Sequence, residues 1–288
     1  MDTPDWSTTL MNLGSRAGSG SAWPTWIKRV CAVVIVVGVC PTAAAQAPWR
    51  DSPKKGAGFA LSDSVQAQNL ANLATLDPAW FYSWSPEPRS GFGSIPEGID
   101  YIPMSWGRNA PAANQQTWID GAAAGQYDTL LGFNEPDLAS QANMRVSEAL
   151  ALWPTLEATG LRLGSPAPAG LNNGWLADFM DGADAQNLRV DFLAVHRYGG
   201  TDPQAFFDFV DGLHAQYNLP IWITEFAVRD GNAATPADNR YTDDEVYDFM
   251  AAVLPGLEQR SYVERYAWFP SGRTNPFVAS SSLFEEDG

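Results

Sequence analysis

Eight short apolar runs, at residues 58–61, 79–84, 100–105, 129–134, 161–165, 191–196, 221–226 and 264–269, read as strands, and most are separated by helical patterns. A strand that is apolar on both faces is buried on both faces, and strands joined through helices run parallel. After the first run, Asp63 is placed to cap a segment with Leu70, Leu73 and Leu76 on neighbouring turns. After the fourth, Val146, Leu150, Trp153 and Leu156 follow helical spacing until Gly160. Asp202-Pro203, after the sixth run, is an N-cap followed by proline at the first helical position; Thr242-Asp243-Asp244-Glu245, after the seventh, is a capping box. Eight such units in residues 48–288 predict an α/β protein, a single-domain (β/α)8 TIM barrel. Past Trp268-Phe269 no pattern predicts an eighth helix. Either that helix is missing from the sequence, or the barrel closes with an exposed seam between its last and first strands.

Residues 1–47 belong to a different kind of segment. Lys28 and Arg29 precede an apolar stretch from Val30 to Val39, and Pro41-Thr42-Ala43-Ala44-Ala45-Gln46-Ala47 follows with small residues at cleavage spacing. That is the layout of a signal peptide, and the apolar stretch falls well short of the roughly 20 residues that span a bilayer. Removal is expected after Ala47 or Ala45, giving a secreted or periplasmic protein with no membrane attachment. Cys31 and Cys40 are the only cysteines and both lie in this segment, so neither disulfides nor thiol chemistry is available to residues 48–288. The formal charge of −16 argues against nucleic acid and anionic lipid as partners and is compatible with a neutral polymer.

Two of the predicted strands end in a glutamate that the strand pattern does not need. Leu130, Leu131 and Phe133 run into Asn134-Glu135-Pro136-Asp137, where Pro136 stops the ladder. In Ile221-Trp222-Ile223-Thr224-Glu225, alternation puts Glu225 on the face of Ile221 and Ile223, as the last member of an apolar row. Taken alone, Asn134 to Asp137 is equally an ordinary polar turn. A lone carboxylate continuing a packed row, however, is costly unless paired or used. In a (β/α)8 barrel both acids fall at the C-terminal strand ends, where active sites lie. Trp84, Trp106, His196, Tyr198 and Trp268 fall at other strand ends of the same mouth. One tryptophan among twelve is more often core than binding platform, but at strand C-termini the balance reverses. Tyr198 is placed to hold Glu225 or a ligand, and His196 is equally a satisfied core histidine. Asp137 reads as a turn or cap residue.

Two acids facing each other across an aromatic cleft suit glycoside hydrolysis, one protonating the leaving oxygen while the other attacks or activates water. With two histidines, one of them on a helix, there is no metal set; nor is there a nucleotide loop or a serine-hydrolase elbow, and no cofactor is expected.

Gly132-Phe133-Asn134-Glu135-Pro136-Asp137, His196-Arg197-Tyr198-Gly199, Trp222-Ile223-Thr224-Glu225-Phe226-Ala227 and Ala267-Trp268-Phe269 together resemble glycoside hydrolase family 128, β-1,3-glucanases of clan A. The resemblance implies that Glu135 is the general acid/base, Glu225 the nucleophile, and Asn134 a hydrogen-bond partner of the sugar 2-hydroxyl. It also implies a β-1,3-glucan substrate and a secreted endo-glucanase, expected to be a monomer. Another clan A hydrolase, such as a β-1,4-glucanase or mannanase, is the alternative enzyme, and a non-catalytic glucan-binding barrel the alternative of another class. Projection of Glu135 and Glu225 across one barrel mouth predicts carboxyl groups about 5 Å apart, the spacing of retaining double displacement.

Overall fold

The computed structural model describes residues 51–59, 66–88, 95–269 and 271–284, all within one unit, Ala45–Gly288. The segment read from sequence as a signal peptide and the Asp63 cap lie outside the described residues. The strands are β1 (Lys55–Gly58), β2 (Trp80–Tyr82), β3 (Asp100–Tyr101), β4 (Thr129–Leu130), β5 (Arg162–Leu163), β6 (Leu193–Gly199), β7 (Ile221–Val228) and β8 (Val263–Trp268). The α-helices are α1 (Gln66–Leu76), α2 (Ala110–Ala123), α3 (Val146–Glu157), α4 (Trp175–Ala185), α5 (Pro203–Tyr217) and α6 (Asp243–Gln259). None of them is long and apolar enough to cross a membrane.

All strand pairs are parallel. The order β3-β2-β1-β8-β7-β6 forms one sheet and β4-β5 another. Isolated parallel bridges, Met104 to Leu131 and Gly164 to Phe192, join the two sheets. At these joints Ser105 N–H donates to the Leu131 carbonyl (2.9 Å), and Ser165 N–H to that of Phe192 (2.9 Å), so the ring is hydrogen-bonded throughout.

The barrel interior is packed, not hollow. Trp80, Tyr82, Ile102, Met104, Leu131, Phe192, Ala194, Trp222 and Ala267 form one buried cluster contributed from around the ring. Trp222 stacks on Phe192 at 4.3 Å between centroids and lies 5.4 Å from Trp80. Room for these rings comes from β1: a Cβ on Gly56 would lie 2.0 Å from the Trp80 indole. This is why β1 is poor in strand-forming residues; it spans Lys55–Gly58, ahead of the run expected at residues 58–61. Larger clusters fill the space between the strands' outer faces and the helices, with Phe206, Val210, Phe249 and Val253 of α5 and α6 packed on β6, β7 and β8.

Helix starts follow their caps. Asp202 accepts from the N–H groups of Gln204 (2.9 Å) and Ala205 (3.2 Å), and Thr242 with Glu245 closes its capping box. The helices α2 and α4 were not expected from the apolar pattern. α2 is rich in alanine, asparagine and glutamine and buries only Pro111, Trp118 and Gly121.

No α-helix follows β8 among the described residues. A 3-10 turn at Ala279–Ser281 does, anchored where the Trp268 indole N–H donates to the Ser281 carbonyl (2.8 Å) and the Ser281 hydroxyl to that of Val228 (2.7 Å). β8 and β1 pair directly, Lys55 to Tyr266 through Ala57 to Trp268. Just before β1, the Lys54 ammonium donates to the carbonyls of Leu257 (3.2 Å), Glu258 (3.1 Å) and Arg260 (3.0 Å), capping the end of α6. The joint between last and first strands is therefore sealed by backbone pairing and by this ammonium.

Candidate active site

Glu135 follows β4 in the left-handed region, at φ 40°, and its N–H donates to the Ala167 carbonyl (2.8 Å) after β5. A non-glycine residue in that region stores strain, which collects at functional positions. Asp137 ties the same turn to the β5 loop, accepting from the N–H groups of Ala169 (2.8 Å) and Gly170 (3.1 Å) and from the Asn173 amide (2.7 Å).

Glu225 reaches the mouth by a route that simple alternation does not give. Ile221, Ile223, Phe226 and Val228 all pack outward against the helix layer, while Trp222 points into the barrel. One residue separates Ile221 from Ile223, but two separate Ile223 from Phe226. The register shows the reason: Val195 pairs with Ile223 but the next residue, His196, pairs with Glu225, and on the other side Ile223 and Phe226 pair with Tyr266 and Trp268. β7 carries one extra residue against both neighbours, a bulge that turns Glu225 inward, away from the face of Ile221 and Ile223.

The two carboxylates meet around His196. Its Nδ1 lies 3.1 Å from Glu135 Oε1 and its Nε2 3.5 Å from Glu225 Oε1. The imidazole is fully buried, the Glu225 side chain is 5% exposed and that of Glu135 12%. One oxygen of each glutamate and a nitrogen of His196 lie within 4.8 Å of one another. These three groups have the chemistry of metal ligands. The two nitrogens of His196, however, face different carboxylates, and a single ion would take only one of them, so the arrangement fits an imidazole hydrogen-bonded to Glu135 through Nδ1 and set near Glu225 through Nε2 better than a metal site. Burial is the largest influence on His196 and disfavours its charge. The charge of Glu225, the hydrogen bond to Glu135 and the charges of Glu135 and Asp137 together outweigh it and raise its pKa.

Neutral donors hold Glu225. The Trp84 indole N–H donates to Oε1 (2.8 Å), the Tyr198 hydroxyl to Oε2 (2.5 Å), and the Tyr82 hydroxyl lies 3.4 Å from Oε1 while donating to the Thr224 carbonyl (2.9 Å). Burial first, and the Glu225 charge second, push both tyrosines far above the usual range, so they remain donors.

Above the acids opens a cleft of about 580 Å³ lined by Trp84, Trp106, Asn134, Tyr198, Phe269 and Phe277 among others. Asn134 donates weakly to Gln141 (3.5 Å), and its Oδ1 is buried with no partner among the described residues, an acceptor free for a ligand hydroxyl. Trp106 is 36% exposed at the rim. Trp268 lies elsewhere. Its β-ladder partner Phe226 faces outward, and Trp268 does the same, buried against Phe226 (5.0 Å) and Phe249 (6.5 Å); Phe269 takes the cleft position instead. Tyr82, Gln141, Arg229 and Phe277 belong to the site but were not singled out from sequence. Tyr82 had a signal, standing two residues before Trp84 in the apolar run 79–84.

A parallel eight-stranded ring with two acids at the C-terminal strand ends defines the class of carbohydrate-cleaving barrels, and the family described as glycosyl hydrolase catalytic core matches residues 56–288. A mutant subgroup I endo-β-1,3-glucanase of glycoside hydrolase family 128 from Amycolatopsis mediterranei, solved with laminaritriose and laminaribiose, is 38% identical. The match covers 82% of this chain and 94% of that one, with a TM-score of 0.69. A subgroup III curdlan-specific exo-β-1,3-glucanase from Blastomyces gilchristii, solved with glucose, is 32% identical over 76% of this chain and 90% of that one, TM-score 0.61. Alkali-sensitive linkage protein 1 of Schizosaccharomyces pombe is 30% identical over 224 residues, 73% of this chain; the matched part spans only 39% of that protein. The chain belongs to glycoside hydrolase family 128.

Proposed function

We propose that this chain is a secreted, monomeric endo-β-1,3-glucanase that cleaves with retention of configuration, Glu225 acting as nucleophile and Glu135 as general acid/base. The observation that carries the reading is the pair of buried glutamates with oxygens within 4.8 Å across an aromatic cleft, too close to admit a water between acid and sugar. Glu225 attacks the anomeric carbon, the bond to the leaving oxygen breaks, and that oxygen takes the proton from Glu135. Glu135, now a carboxylate, then draws a proton from water, which displaces Glu225 and restores both groups. His196, touching both carboxyl groups, sets beside whichever of them is charged an imidazole whose own pKa they raise.

Endo action accords with the ring order. Exposed Trp106 follows β3, beside the strand bearing Glu135, while exposed Phe277 follows β8, beside the strand bearing Glu225, so apolar surface flanks the acid pair on both sides. The β-1,3 linkage rests on the family's glucanases, and export on the pattern at residues 28–47.

The test is hydrolysis of laminarin, carboxymethylcellulose and mannan, with the anomeric proton of the first product followed by NMR. Cleavage of laminarin to a product of retained configuration is expected; equal rates on cellulose or mannan, or an inverted product, would sink the reading. Glu225→Gly with azide is expected to yield the inverted glycosyl azide.

A further inference from the structure

Trp84 was expected to bind substrate, yet its one polar atom is committed to Glu225 at 2.8 Å. The commitment is built in. Trp84 sits at φ 51°, a strained conformation for a tryptophan, and its indole is hemmed in by Tyr82 (4.8 Å between centroids) and edge-on by Phe269 (6.0 Å). A Cβ added to Gly58, at the end of β1, would lie 2.9 Å from the indole's far carbon, so the absence of a side chain there makes the indole's place.

The donors divide unevenly between the two oxygens of Glu225. Oε1 faces the Trp84 indole N–H, with His196 Nε2 at 3.5 Å and Tyr82 at 3.4 Å, whereas among the described residues Oε2 takes only the Tyr198 hydroxyl. When a carboxylate attacks, the attacking oxygen spends a lone pair on carbon and becomes the alkoxy oxygen of an ester, a poor acceptor. The other becomes the ester carbonyl and keeps its hydrogen bonds. An indole N–H cannot be re-aimed, but a hydroxyl rotates to a new acceptor. Attack through Oε1 would strand the Trp84 donor in a buried site; attack through Oε2 only asks Tyr198 to turn.

We propose that Trp84 is a positioning residue that pins the non-attacking oxygen of the nucleophile, that the oxygen facing Tyr198 forms the bond to the sugar, and that Gly58 is the space that permits it. In the first step the Oε2 electron pair forms the bond to the anomeric carbon, the bond to the leaving oxygen breaks, and Glu135 supplies that oxygen's proton. The inference rests on Glu225 being the nucleophile, which azide rescue of Glu225→Gly tests separately.

Trp84→Phe keeps the ring and removes the donor. Loss of one hydrogen bond to a carboxylate corresponds to a fall in kcat of about 10- to 100-fold. The dissociation constant of laminaritriose, measured by calorimetry in a Glu135→Gln background with and without Trp84→Phe, should stay within about twofold, because a positioning residue contributes to kcat and not to binding. Gly58→Ala should lower kcat in the same direction by displacing the indole while leaving Trp84 itself in place, and circular dichroism would verify the fold of each variant. A crystal structure of the enzyme trapped with a 2-deoxy-2-fluoro-β-laminaribiosyl fluoride should show the sugar on the oxygen facing Tyr198. Unchanged kcat with weakened laminaritriose binding would make Trp84 a sugar platform and overturn the proposal. So would a glycosyl-enzyme bonded through the oxygen facing Trp84. If azide fails to rescue Glu225→Gly, the reading of the nucleophile falls first.

Discussion

Replacing His196 with alanine removes the group that lies between the two acids. In the native arrangement the imidazole is fully buried and touches both Glu135 and Glu225, whose oxygens lie within 4.8 Å of one another. An imidazolium nitrogen 3.5 Å from the Glu225 carboxylate is attracted to it by about 4.7 kcal/mol at an effective dielectric of about 20, and the alanine variant loses that attraction. For a domain of this size each kcal/mol moves Tm by roughly 2–4 °C, so the variant should melt lower by about 9–19 °C at most on the acid side of 6.5, burial of the imidazolium offsetting part of the attraction. The pH dependence has a definite sign. His196 has its pKa raised above the ordinary 6.5, because the Glu225 charge, the hydrogen bond to Glu135 and the charges of Glu135 and Asp137 together outweigh burial, the largest single influence, which lowers it. Its protonated form therefore contributes stability that is fully present below 6.5 and is lost as pH rises through the folded value. The gap between wild type and His196→Ala should be widest on the acid side of 6.5, above the carboxylate range, and narrow towards alkaline pH. His196→Gln, which keeps bulk and a donor but no charge, should recover packing without recovering that pH dependence. Scanning calorimetry across pH is the assay. A Tm within 2 °C of wild type at every pH would refute the account of His196 as the charge between the acids.

Gly132→Ala should destabilise the fold by about 1–3 kcal/mol and lower kcat, because the new Cβ would lie 2.8 Å from the backbone of Gly164 and Ser165 and push the Glu135 turn off its seat; urea unfolding with laminarin kinetics checks both. Trp106→Ala, at the exposed rim, should raise KM on laminari-oligosaccharides several-fold and leave Tm within about 1 °C, since stacking on a sugar is lost and little packing is. Activity on laminarin should survive dialysis against EDTA, because Glu135 and Glu225 supply the chemistry; loss with recovery on adding a divalent ion would count against that.

The acids were legible because each interrupts an apolar strand with a charge that packing does not need, and that contrast survives any error in strand boundaries. Face assignment was less secure. Counting by twos from Ile221 puts Glu225 on the outer face, and only the extra residue in β7, invisible in the sequence, turns it into the mouth. The same one-residue parity sends Trp268 outward and leaves Phe269 at the cleft. α2 went unseen because alanine-rich helices carry little periodic contrast, and β1 was placed too late because its glycines serve the volume of the Trp80 and Trp84 rings on the neighbouring strand. Trp84 lines the cleft where the sequence put it, but sequence marks an aromatic at a strand end and not that its N–H points at Glu225.

The stitching of the ring is unequal, and the two acids sit on opposite kinds of seam. β7, which carries Glu225, is paired along its length with β6 and β8, whereas the β4-β5 pair that carries Glu135 meets each neighbour over one isolated bridge and the few backbone hydrogen bonds around it. Segments with fewer shared hydrogen bonds open at lower cost. The nucleophile is thus mounted on the stiff wall and the proton donor on the compliant one. Amide exchange is expected to be faster at residues 129–134 than at residues 221–228, and a glucan seated across the cleft should narrow that gap by bracing the one wall against the other.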